Sequence, residues 1–553
     1  MQRILLFTCA TCFAFMPISR AHTAADKDSI EMQRYVTARL AEMDDRNGDA
    51  LKSYLTLFKT NAGSPALTDR LFDNAVRSGD MPSAVTAVRM QELRNQADGT
   101  APMLLYADAF RKKDWSAAKI AISELQAKSN YGFVTPILES WINVAQRKPH
   151  NLQAIDANSQ QLLNYYTSDQ RVYLEIASGN IARVKELLPI FINSDADFAR
   201  DLVIRAAPVL SAQGESIFAQ SALGSFVERR YLAGLTKTVQ PKTAAIMRPE
   251  EGVAALYTRL AASLLEQKVP QQALILSRIA NWVDPESDPA KLTLARALQE
   301  NGQIKDARAI LATISDTSIY WPRAVADDVR MLLVLDKPAE ALQRAATAVQ
   351  KYPDSSDLIL LSAQMQENTG DYKSAAQTYA TLASDGQAQN PSSRQKALYL
   401  LFLATAQDKG GRWQIALQNL EKAHTADPNN PYILNYLGYA LLEHNEQLDK
   451  ALEYLIRAHQ LAPQSAAIAD SLGWGYYLNG QYDLALPLLE KAVKQSGNDL
   501  AMNEHLGDIY WQLNRRIDAR YAWKIAAQRA DAKDAERLIS KIDVGVIKPA
   551  LKF

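Results

Sequence analysis

One residue type recurs along this chain at a nearly fixed interval. Ala273, Ala307, Ala341, Ala375, Ala416, Ala451, Ala485 and Ala519 follow one another at steps of 34, 34, 34, 41, 35, 34 and 34 residues. Twelve residues before most of them stands a second small residue: Ala261, Ala295, Ala363, Ala404, Gly473 and Gly507. Gly438 comes thirteen before Ala451, and Val329 is the exception. Two helices whose backbones approach closely need small side chains where they cross, because a larger one holds the axes apart. The paired columns therefore predict a repeated antiparallel hairpin of helices. With Gly and Pro at only 22 residues each in 553, the turn-rich all-β architectures are disfavoured as well.

The rest of the unit follows from the same geometry. Leu311, Tyr379, Leu420, Leu455, Leu489 and Trp523 stand four residues after their Ala, one helical turn on and on the same face. Pro285, Pro353, Pro428 and Pro463 stand twelve after it, where Pro ends the second helix and opens the turn to the next unit. Asn301-Gly302, Gly370-Asp371 and Asn479-Gly480 mark the inner turns.

Small residues, a later Ala, a large apolar residue and a Pro, in this order over 34 residues, resemble the tetratricopeptide repeat. The strongest matches are Leu434, Leu437, Gly438, Ala451, Leu455 and Pro463, then Leu472, Gly473, Tyr476, Ala485 and Leu489, then Leu506, Gly507, Tyr510, Ala519 and Trp523. The phrasing of Asn435 to Tyr439, Asp470 to Tyr477 and His505 to Trp511 is also similar to exported repeat proteins of Gram-negative bacteria. The resemblance implies an all-α fold, an α-solenoid in which antiparallel helix pairs form a right-handed superhelix. It implies eight repeats over 253–532, followed by a C-terminal helix and tail over 533–553.

Toward the N-terminus the column continues as Ala50, Ala84 and Ala118, again 34 apart, which places further repeats over 31–132. Helical runs persist through 133–235, among them Val172 to Leu188 and Phe198 to Leu210, without a 34-residue register, and read as degenerate helix pairs. The polar stretch 236–250, with Pro241 and Pro249, reads as a linker. Ser384 to Lys396 reads as a polar loop that absorbs the extra residues of the 41-residue step.

The first 21 residues read as an export signal. A short positive start ending at Arg3 precedes the mostly apolar run Ile4 to Ile18, and Ser19 and Ala21 are small residues placed for cleavage before His22. Cys9 and Cys12, the only cysteines, leave with this segment. Thiol-free entry into an oxidising compartment fits a periplasm, with outer-membrane association as a further expectation. Lipidation at Cys9 is disfavoured, since Phe7 and Thr8 are bulkier than a lipidation motif accepts. Beyond residue 21 no run of 18 apolar residues is left to span a bilayer. Cleavage removes Arg3 and Arg20 and no acid, leaving 59 basic against 61 acidic residues. That balance offers nothing to attract nucleic acid.

Chemistry finds little support. Asp45-Arg46-Asn47-Gly48-Asp49 imitates the start of a calcium loop, but Ala50 stands where the loop needs Gly and Thr56 where it needs a bidentate Glu. Ser393 and Lys396 match an SxxK pattern with no second motif after it. His424 and His459 sit one repeat apart without a Cys or carboxylate at ligand spacing. No phosphate-cradling loop and no nucleophile elbow occurs. We therefore expect no catalytic residue, no metal and no cofactor, and a binding protein rather than an enzyme.

In proteins of the resembled family, residues two, five, six, nine and twelve of each first helix line the concave face. Carried onto the last three repeats, the resemblance implies a binding surface of Tyr432, Asn435, Tyr436, Tyr439 and Leu442, then Ala467, Asp470, Ser471, Trp474 and Tyr477, then Ala501, Glu504, His505, Asp508 and Trp511. Of these, Tyr432, Asn435, Tyr436, Tyr439, Asp470, Trp474, Tyr477, Glu504, Asp508 and Trp511 are the candidate binding residues. Rings and carboxylates dominate and no Lys or Arg appears. Such a surface suits a basic or apolar extended segment of a protein partner through cation–π and stacking contacts. It also suits a glycan, with rings under the sugars and carboxylates accepting hydroxyl hydrogen bonds, as in an accessory module of a polysaccharide secretion system.

Overall fold

The structure is a computed structural model that describes residues 24–61, 64–93, 99–150, 152, 160–192, 197–223, 247–384 and 392–546. The expected export signal, the linker up to residue 246 and the last residues of the tail lie outside the described residues. Among the described residues there are 29 α-helices, one short 3-10 turn and no strand. The chain divides into two compact units, 1–324 and 325–553.

The Ala ladder sits where the hairpins close. All eight column residues from Ala273 to Ala519, and Ala50, Ala84 and Ala118 before them, are fully buried. The small residues opposite show why. A Cβ on Gly438 would stand 2.8 Å from the Ala451 carbonyl oxygen and 2.7 Å from Leu455 Cγ. On Gly473 it would stand 2.9 Å from Leu489 Cγ, and on Gly507 2.4 Å from Trp523 Cδ1. The large residue four after each Ala thus lies against the glycine of the facing helix.

Local chemistry sets the helix limits. Pro285, Pro353, Pro428 and Pro463 each follow a helix end, after Pro270–Val283, Pro338–Lys351, Trp413–Ala426 and Leu448–Leu461. Gly302, Gly370 and Gly480 hold the inner turns at φ +81, +80 and +72°, a backbone region that costs glycine little. Ser287, Ser392, Asn430, Ser465 and Asp499 cap first helices by accepting backbone N–H bonds.

Three expectations need correction. The run Val172 to Leu188 is not one helix: Gln160–Ala177 stops at Gly179, whose φ is +73°, and Ile181–Leu187 restarts under the Asn180 cap. The polar loop ends earlier than Lys396, because Ser392 and Gln395 form a reciprocal capping box that starts the helix Ser393–Lys409. That helix also takes up the SxxK pair. Pro249 and Glu250 likewise already belong to the helix Pro249–Glu266.

The first unit departs from the neighbour-only contacts of a linear solenoid. Its hairpin Pro249–Glu266 and Pro270–Val283 packs on helices about 60 to 200 residues earlier. The Tyr257 hydroxyl donates to the Met103 carbonyl at 2.8 Å. Arg278 donates to the carbonyls of Val76 at 3.0 Å and Arg77 at 2.6 Å, ending the helix Pro65–Ser78 from outside. Gly252 leaves room for Trp141, whose ring would lie 2.0 Å from an added Cβ. Arg259 pairs with buried Asp169, donates to the Tyr165 carbonyl at 2.6 Å and lies 3.9 Å over the Phe198 ring. The second unit keeps the regular order, each helix packing on the next.

Candidate functional site

In the second unit the first helices Pro431–Glu443, Ala466–Leu478 and Leu500–Gln512 carry the ten candidate residues. The hairpin crossing positions these helices side by side, so that residues of one meet residues of the next. Their side chains fall into three groups.

The first group is the most open. Tyr432 is 62% exposed. Asn435, Tyr436 and Tyr439 are half-buried. The Tyr436 hydroxyl donates to Asp408 at 3.1 Å, and His444 donates from Nε2 to the same carboxylate at 2.7 Å. His444 lies flat on Trp413, with ring centroids 4.1 Å apart at 10°. Burial, reinforced by neighbouring carboxylates, pushes both Tyr436 and Tyr439 above the ordinary phenol range. Both are neutral donors.

The second group is a stack. Trp474 lies between Tyr477, at 4.7 Å and 13°, and His505, at 4.1 Å and 16°. His505 donates from Nδ1 to Asp470 at 3.0 Å, and this bond fixes its tautomer. Both faces of the indole are covered. Trp474 therefore differs from the open ring expected of it: adjacent first helices bring position nine of one against position six of the next, and the rings desolvate one another.

The third group is closed by the chain itself. Lys541, on the helix Ala532–Val544, donates to Glu504 at 2.6 Å and to the two Asp508 oxygens at 2.9 and 2.7 Å, while Arg537 pairs with Glu504. Trp523 Nε1 donates to Asp508 at 2.9 Å. Burial raises the Asp508 carboxyl above the usual range and lowers Lys541 below its own, so each charge depends on the other opposite it. Trp511 carries the Arg516 guanidinium 3.7 Å over one face and packs on Trp523 at 5.5 Å. The carboxylates of this repeat are not open, although no Lys or Arg occupies the first-helix positions themselves. The cations arrive from elements one step further along the chain.

Sequence reasoning passed over Lys541, Arg537 and Trp413. A signal for the first was present: the C-terminal helix continues the repeat, and Lys541 stands 33 residues beyond Asp508, about one period. Elsewhere, His424 and His459 are lowered from the ordinary imidazole value by burial and by Lys450 and Lys491. Among the described residues no group of three His, Cys, Asp or Glu is placed to hold a metal ion. None of the described helices is long and apolar enough to cross a membrane.

Against known proteins, the tetratricopeptide repeat family profile matches residues 247–509. A TPR repeat-containing protein of Pseudomonas aeruginosa is 28% identical over 224 residues, 40% of this chain and 36% of its own length. The chain thus matches little more than a third of that relative. Among solved structures, the APC/C hetero-tetramer Cut9–Hcn1 aligns at 16% identity and TM-score 0.38 over 94% of this chain and 97% of its own. Yeast Tom70 aligns at 13% identity and TM-score 0.37 over 94% and 96%. Over residues 247–509, the family profile and the buried small-residue crossings beneath it together identify tetratricopeptide repeats.

Proposed function

We propose that this protein is an exported tetratricopeptide-repeat scaffold that holds an extended, basic segment of a partner protein along the first helices of its second unit. The repeat fold supports protein–protein interaction in general. The observation that carries the finer reading is a cation-filled site on that face: Lys541 and Arg537 are gathered by Glu504 and Asp508, with Arg516 stacked on Trp511. Two repeats earlier the same ring-and-acid chemistry continues in Tyr432, Tyr439 and Glu443, with no Lys or Arg on that first helix or on the next one. A Lys or Arg of the partner beside Glu443 and the tyrosines repeats the pairing that the last repeat makes internally. The glycan reading needs open ring faces, and neither Trp474 nor Trp511 offers one. The sugar would be left to Tyr432.

Burial decides which variants test this. Trp474 and Asp470 are built into the stack, whereas Tyr432 and Glu443 are exposed and can be changed without loss of packing. In a pull-down of envelope proteins followed by titration of the captured partner, Tyr432→Ala combined with Glu443→Lys should weaken binding at least tenfold, about 1.4 kcal/mol, with unchanged helical content. Undiminished affinity would move the site off this face.

Export belongs to the same proposal and rests on the signal-like start. N-terminal sequencing of the osmotic-shock fraction should begin at His22. A chain that keeps Met1 in the cytoplasmic fraction refutes it.

A further inference from the structure

The first and last described helices present different surfaces to solvent. A solenoid has one open face at each end, and a polar outer surface there keeps it from associating. The last described helix, Ala532–Val544, buries Leu538 and exposes Lys533, Glu536, Ser540 and Asp543, and its two exposed apolar side chains, Ile539 and Val544, are five residues apart and do not share a side. The first helix, Ala24–Met43, buries Ala38 and Ala41 and leaves an apolar stripe in water: Met32 at 64% exposure, Val36 at 47%, Leu40 at 54% and Met43 at 76%. These four follow one another by four, four and three residues, so they share one side of the helix. That side faces away from the buried alanines. The adjoining helix Asn47–Asn61 turns Lys52, Thr56 and Lys59 outward, and on the first helix only Ile30 at 42% and Tyr35 at 38% are exposed large apolar side chains outside the stripe.

We propose that this stripe is the interface of a symmetric dimer, in which two copies pair their Ala24–Met43 helices antiparallel. An isologous contact uses the same surface on both copies, so its residues must be arranged evenly about the two-fold axis. The stripe comes close to that condition: Met32 and Met43 are centred between residues 37 and 38, and Val36 and Leu40 on residue 38, half a residue or about 0.75 Å along the axis away. Reversed on itself, the helix sets Met32 against the partner's Met43 and Val36 against the partner's Leu40. The row 32, 36, 40 is an i, i+4 ridge, the kind that interdigitates with its own copy in the commonest class of helix packing. The four side chains expose on the order of 450 Å² per copy, the scale at which an exposed patch marks an association site. Fully covered, the two stripes bury about 900 Å² in total, just under the ~1,000 Å² of a stable specific interface and within the range of weak, transient ones. The dimer is therefore concentration-dependent.

The test is sedimentation of the full exported chain from about 1 to about 200 μM, with the weight-average mass rising from one chain toward two over this range. Val36→Glu with Leu40→Glu should hold it at one chain across the series, with unchanged circular dichroism, since both side chains point into solvent. Orientation is read separately. The chain from residue 22 has no cysteine, so Val36→Cys and Leu40→Cys each introduce a single thiol. An antiparallel pair crosslinks the mixture of the two variants faster than either alone. A wild-type monomer at the highest concentration, a dimer indifferent to the two glutamates, or faster crosslinking of each variant with itself would each overturn the proposal. Retention of residues 1–21 with a monomeric mass would show that the chain's own apolar segment covers the stripe instead, and would overturn it equally.

Discussion

Replacing Arg259 by Met should destabilise the first unit by about 3–5 kcal/mol at pH 8, the usual result of removing one partner of a buried ion pair. Arg259 and Asp169 are 5% and 2% exposed, and the guanidinium also lies over the rings of Phe198, Tyr165 and Tyr166. Methionine keeps the apolar stem among those rings but leaves the carboxylate alone in a low-dielectric site. The pH dependence follows from Asp169 itself. Burial already pushes its carboxyl up from 3.8 to about 6, even with Arg259 beside it. A carboxyl raised on folding stabilises most below its unfolded value and loses that contribution as pH rises through the folded one. Without Arg259 the folded value climbs further. The loss caused by Arg259→Met should therefore shrink between pH 8 and pH 5, where the orphaned carboxyl is protonated. Adding Asp169→Asn should flatten the difference across this range. Urea unfolding followed by circular dichroism at the two pH values measures both effects. A penalty that does not change with pH would mean that Asp169 is solvated in the variant.

This pair also marks where the sequence becomes hard to read. The hairpins of 253–532 were legible because two local rules repeat in phase: a small residue is required at each crossing, and Pro cannot extend a second helix. Nothing comparable announces Arg259–Asp169, Arg278–Val76 or Tyr257–Met103. Their partners are 90, 202 and 154 residues apart, and such contacts depend on where the early helices come to lie. The break at Gly179-Asn180 and the capping box at Ser392 were local, and were hidden by apolar runs and polar composition respectively. For the candidate site the register placed the first-helix residues but not their surroundings. Trp474 and His505 are 31 residues apart on neighbouring helices, and their stacking follows from the helix spacing rather than from either residue type. Tyr432, at the second position, meets no ring among the described residues and stays in water.

Replacing Trp523 by Ala should have a comparable effect on the last repeat, about 3–5 kcal/mol, because a fully buried indole leaves a cavity that the surrounding helices close only in part. Trp523 occupies the large-residue position of the repeat, where earlier units have Leu455 and Leu489, and it lies against Gly507 as those lie against Gly438 and Gly473. Trp523→Leu should therefore be milder than Trp523→Ala, since leucine already fits this crossing elsewhere in the chain. It still loses the hydrogen bond from Nε1 to Asp508. The glycine supplies the sharper test. Gly507→Ala alone should overpack the crossing and cost about 1–3 kcal/mol, because its methyl would stand 2.4 Å from Trp523 Cδ1. In Trp523→Ala that methyl enters the vacated space, so the double variant should be more stable than the summed losses imply, by about 1 kcal/mol or more. Equilibrium unfolding of the four proteins in the cycle gives this coupling directly. Simple additivity would show that residues 507 and 523 do not meet, and with them the paired columns of small and large residues would lose their physical meaning.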